Sequence, residues 1–126
     1  MKRVLFIISC VIVVASFLLS CRHLNHHDIN IRISESGHYY KMLACYNRNE
    51  TRRVEEYMDN RIGRRSNMSF INSRIDGTLG FDDHTTFYIK KYPGHLEIKF
   101  DKNKNSSESY YRVKAMCEGI KKVVSN

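Results

Sequence analysis

The sequence predicts an α+β fold: a small antiparallel sheet of about three strands, packed with an N-terminal helix or helix pair and a C-terminal helix. Three observations carry this reading. Tyr39, Leu43, Tyr46, Glu50, Val54, Tyr57 and Met58, and Ile62 recur at three- and four-residue steps, the period of an amphipathic helix. Thr85–Lys91, rich in β-branched and aromatic residues, faces the alternating Leu96–Phe100 across Pro93-Gly94, which is a hairpin signature. A last stripe at helical spacing runs through Tyr110, Val113, Cys117, Ile120 and Val124.

Taken in chain order, Ile29, Ile31 and Ile33 alternate with polar residues, so a short strand is expected there, at an edge of the sheet. Ser36 is a fitting N-cap and Gly63 a fitting stop for the helical region. That region is expected to be one helix, or two meeting near Asn47-Arg48-Asn49. Phe70–Ile75 is a strand candidate, continuing or breaking at Asp76-Gly77. Leu79 and Phe81 lead into the turn cluster Asp82-Asp83-His84. The polar loop Asp101–Ser107 precedes the last helix, with Ser106 or Ser107 as its cap. Glu108 in its first turn and Lys121-Lys122 in its last suit the helix dipole.

Lys2 and Arg3 precede an apolar run from Val4 to Leu19, the charged and apolar regions of a secretory signal. The run is about 16 residues, shorter than the ~20 of a spanning helix. It ends in Leu18-Leu19-Ser20-Cys21, which resembles the lipobox of bacterial lipoproteins. The resemblance implies cleavage before Cys21 and a diacylglycerol thioether on its thiol. It also implies a membrane anchor of two or three acyl chains, and two suffice for stable attachment. In a Gram-negative cell, Arg22 in place of a retention Asp favours the outer membrane, facing the periplasm. An uncleaved signal anchor and an ordinary secretory signal are the competing readings. The organisation expected is residues 1–20 as signal, 21–35 as lipidated N-terminus and tether, and 36–126 as a single domain.

On this reading Cys10 is lost with the signal and Cys21 is acylated. Cys45 and Cys117 then remain in an oxidising compartment, where an even pair implies a disulfide. It would staple the first helix to the last and close a loop of roughly 70 residues, worth about 3–4 kcal/mol. Two buried thiols are the alternative.

The chain carries 21 Lys plus Arg against 13 Asp plus Glu. Removing Lys2 and Arg3 leaves 19 minus 13, or +6, on the mature chain. Outside the cytoplasm such a charge meets lipopolysaccharide, anionic headgroups or acidic proteins rather than nucleic acid. The helix–strands–helix order is similar to that of double-stranded RNA-binding domains. Their Gly- and Lys-rich entry to the last helix is absent, and no nucleic-acid partner is expected.

His23, His26, His27 and Asp28 have metal-ligand chemistry, but they sit in a tether with no element to fix their geometry, and a spacer is expected. Asp82, Asp83 and His84 read as turn chemistry. Catalysis there would need partners such as His95, Glu97 or Asp101, which nothing in the sequence aligns. Arg52, Arg53, Arg61, Arg64 and Arg65 form a candidate site for an anion or an acidic partner, since guanidinium forks match phosphate and carboxylate. A solvated helix end is the plain alternative. Eight tyrosines and no tryptophan include Tyr110-Tyr111, where one ring should enter the core and the other face solvent beside basic residues, as suits a protein interface.

There is no phosphate-cradling Gly loop, nucleophile elbow or zinc-protease motif in the sequence, and neither cofactor nor catalytic residue is expected. The leading expectation is therefore a non-enzymatic, membrane-anchored binding or assembly accessory for another envelope protein, of the pilotin, exclusion or immunity kind. A basic module for anionic lipid or lipopolysaccharide is the second. A small periplasmic hydrolase, or an inhibitor of one, is the third.

Overall fold

The computed structural model describes residues 29–63, 69–81 and 83–125. The fold is α+β, but the sheet has five strands rather than three. They are β1 (Asn30–Glu35), β2 (Tyr39–Cys45), β3 (Ile75–Gly80), β4 (Thr86–Tyr92) and β5 (His95–Asp101). All neighbours are antiparallel, in the order β1-β2-β5-β4-β3. The helices are α1 (Thr51–Met58), extended by a π turn at Asp59–Gly63, and α2 (Ser107–Ser125).

The hairpin expected across Pro93-Gly94 is β4–β5, and Gly94 has φ +80°, the left-handed value of the third residue of a type II turn. A Cβ there would stand 2.9 Å from the Tyr46 carbonyl oxygen. Ser106 caps α2 through the Ser109 N–H, at 3.1 Å. The short strand foreseen at Ile29–Ile33 is β1, at the sheet edge.

The helix expected from Tyr39 is a strand as far as Cys45, and helix begins only after Asn47. β2 is central, between β1 and β5. Its core-facing residues are Tyr40, Met42 and Ala44, but Leu43 and Cys45 on the opposite face are buried too. Burial on both faces fills in the alternation and leaves an apolar run that spacing cannot assign.

The same alternation overturns the expected Cys45–Cys117 disulfide. Cys117 is a free thiol in the core between sheet and helices. Cys45 follows Ala44 on β2 and so points to the other side of the sheet. The staple required both cysteines on helices over one face. Burial pushes the Cys117 thiol up to about 12, so it stays protonated and unreactive.

Both helices cover one face, and the core lies beneath them, with Ile89, Ile98 and Phe100 from the sheet meeting Val54, Met116 and Ile120. The two helices run antiparallel. α1 starts where the β4–β5 turn lies, the Gly94 N–H donating to Thr51 Oγ1 at 3.0 Å. α2 starts at the opposite end, where Ser109 Oγ bonds Thr85 Oγ1 and the Tyr110 ring meets Tyr40 edge-on at 6.1 Å. The helices touch at Gly119, where a Cβ would fall 1.7 Å from the Tyr57 hydroxyl oxygen.

One ion pair is buried within this layer. Lys91 on β4 and Glu55 on α1 are 1% and 3% exposed, and Lys91 Nζ donates to Glu55 Oε2 and to the Ser73 carbonyl. Glu55 Oε1 accepts the Asn72 N–H at 3.3 Å. Asp59 accepts the Phe70 N–H at 2.6 Å and the Ser69 hydroxyl at 2.8 Å. These carboxylates return the chain after α1 to the start of β3.

Candidate functional site

The molecule has two distinct ends. At the entry end, where β1 begins, Asn30 pairs with Cys45, Cys45 with His95, and His95 with Tyr92. At the far end lie the start of β4, the first turn of α2 and the last turn of the α1 region. The far end carries a groove of about 300 Å³. It forms where three separate segments converge: Arg61-Ile62 after α1, Phe81 to Phe87 around the β3–β4 turn, and Tyr111 to Met116 on α2.

Its floor is apolar, from Ile62, Phe81, Phe87, Val113 and Met116. Phe81 and Phe87 stack at 5.4 Å. The rim is polar and aromatic. Arg112 forms an ion pair with Asp83, and Asp83 also accepts the Thr85 N–H at 3.1 Å. Arg61 donates to the Tyr57 hydroxyl at 3.1 Å and lies over its ring at 5.8 Å. Tyr111 is 65% exposed. An apolar floor with a few fixed polar groups is the chemistry of a site that takes an apolar side chain or segment and orients it.

The arginines singled out by the sequence are not gathered. Arg52 bonds Glu56 at 2.9 Å and Arg53 bonds Glu50 at 2.7 Å, both along the α1 surface. Arg61 alone of the described three reaches the groove. Arg64 and Arg65 lie outside the described residues, as do Cys21, the tether residues His23, His26, His27 and Asp28, and Asp82.

His84 and His95 flank β4 at opposite ends, about 20 Å apart over its seven residues. His84 takes φ +65° in the turn, as turn chemistry requires. His95 stacks on Tyr92 at 4.3 Å on the helix-free face, and its Nε2 stands 3.9 Å from Glu97. Burial, then the Lys90 charge, holds its imidazole below the usual value. Asp101 caps the following turn through the Asn103 N–H at 2.9 Å. Among the described residues, no three His, Cys, Asp or Glu side chains come together as a metal-binding group. No described helix is long and apolar enough to cross a membrane.

Sequence reasoning missed the groove because its residues are remote in sequence. The one available signal was Tyr111 beside Arg112. No family model, curated protein or solved structure matches the chain.

Proposed function

We propose that the chain is an envelope lipoprotein, anchored through Cys21, whose domain binds another envelope protein as a non-enzymatic accessory. The observation that carries this reading is the far-end groove, with its apolar floor and its Tyr111, Arg61 and Arg112–Asp83 rim. Exposed tyrosine and arginine around an apolar pocket have the composition of interaction hot spots. The signal and the lipobox-like Leu18-Leu19-Ser20-Cys21 support export and acylation. A soluble or membrane-embedded partner would offer an apolar side chain for the floor and a carboxylate for the arginine rim.

The test combines a partner assay with mass spectrometry. Ala115 is exposed on the groove wall, so Ala115→Arg blocks the groove without disturbing the core. Wild-type protein should recover a specific partner from detergent-solubilised envelopes, and Ala115→Arg should lose it while retaining its fold. Equal recovery by both would overturn the groove as the binding site. The intact mass should show acyl chains on Cys21. A Cys21 thiol found instead in a disulfide with Cys45 would overturn the anchor.

A further inference from the structure

At the β1 edge the apolar layer of the domain reaches solvent. Ile31 pairs with Ala44 and Ile33 with Met42, and both partners face the helices, 0% and 1% exposed. Ile33 is nevertheless 40% exposed, and Ile29, one residue before the strand, is 45% exposed. The alternation that puts Ile31 and Ile33 on the helix side carries Ile29 to the same side. Among the described residues, Tyr111 is the one other large apolar side chain so exposed. No described strand pairs with the outer edge of β1, whose backbone N–H and C=O groups are therefore a template for another strand. No proline or bulge interrupts Asn30–Glu35, which pairs with β2 residue for residue. Its charges are Arg32, on the other face, and Glu35, which bonds Lys102 and Tyr110. The opposite edge of the sheet, β3, exposes no large apolar side chain.

A second copy of the same edge fits this one. A two-fold axis normal to the sheet sets two β1 strands antiparallel, and directly opposite residues then share a face. Centred on Arg32, the pairing sets Arg32 against its own copy, and like charges directly opposite are destabilising. Centred on Ile33, it sets Ile31 against Glu35 and leaves Ile29 opposite Gly37. Centred on Ile31, it sets Ile31 against Ile31, with Ile29 against Ile33 on both sides of the axis. The two exposed isoleucines of each copy then cover those of the other. On the other face Arg32 meets Asn30, whose carboxamide oxygen accepts from a guanidinium.

We propose that two copies of this chain associate through β1, antiparallel and centred on Ile31, so that their five-stranded sheets become continuous. Main-chain hydrogen bonds across the edge supply the attraction, and the isoleucine pairs set the register. The contact is separate from the groove, none of whose lining residues lies on β1, and it holds whether or not Cys21 is acylated. One strand pair buries less than the ~800 Å² per partner of a standard interface, which sets association in roughly the micromolar range.

Sedimentation equilibrium of the full chain, in density-matched detergent and with thiols kept reduced, tests this. The wild type should pass from monomer to dimer over roughly 1–100 μM. Ile29→Lys and Ile33→Lys alter exposed side chains, so far-UV circular dichroism should stay native. Each should weaken the dimer by about tenfold or more. Ile29→Lys joined to Ile33→Glu sets Lys opposite Glu twice in the Ile31-centred pairing and should recover much of the lost affinity. In the wild type, amide exchange at Ile29–Ile33 should slow as concentration rises, a readout that needs no variant. A wild type that stays monomeric, or a dimer indifferent to both lysine substitutions, would overturn the proposal. So would exchange at Ile29–Ile33 that ignores concentration, or a Lys–Glu variant that associates no more tightly than the single ones.

Discussion

At the residue scale the buried Lys91–Glu55 pair is the most exacting feature. Two charges removed from water are tolerated because each is met by further polar groups, the Ser73 carbonyl and the Asn72 N–H. Removing one partner leaves the other charge stranded, at a cost of about 3–5 kcal/mol. Lys91→Met should therefore destabilise the domain by that amount in urea unfolding. Joining it to Glu55→Leu should restore much of the loss, because an apolar pair of similar volume is often neutral in such a site. His95 carries a pH dependence. Its folded pKa lies below the ordinary 6.5 because burial, then Lys90, disfavours the imidazolium. Below 6.5 the unfolded chain binds the proton more readily, so stability falls as pH drops through that value toward the folded pKa. Thermal midpoints measured from neutral to mildly acidic pH should show this slope, and His95→Gln should flatten it. The lysine was not legible as a core residue, since its partner lies 36 residues away and charge ordinarily marks a wet face. The turn roles of Asp83, His84 and Ser106 were legible, because each acts on its own neighbours.

At the scale of elements, the contact of α1 with α2 depends on the missing side chain at Gly119. The Tyr57 ring occupies the space that any larger residue would fill. Gly119→Ala gains about 1 kcal/mol of helix propensity, but must displace a ring held in place by Arg61. Overpacking of this kind costs about 1–3 kcal/mol, and we expect a net loss of stability. In a Tyr57→Leu background the same substitution should become neutral or stabilising. A double-mutant cycle measured by denaturant unfolding isolates the coupling. Local signals were sufficient for β4, β5 and α2, where turn residues, caps and a single period agree. They failed for β2, whose neighbours on both edges and burial on both faces are products of the assembled sheet. Tyr39–Cys45 has no information of its own that separates a doubly buried strand from a helix.

At the scale of the whole molecule, the free Cys117 changes how the chain must fold. Once α2 has docked, the thiol is shielded by the core, but an unfolded chain exposes it together with the other cysteines. Under oxidising conditions an unfolded chain can therefore form a wrong crosslink to Cys117 before α2 docks, and that bond would bar the helix from its seat. Oxidative refolding of the wild type should give a trapped, non-native fraction, visible on non-reducing gels and abolished by Cys117→Ala. For Cys117, the speed with which α2 closes over it is what keeps the thiol in its native, uncrosslinked state.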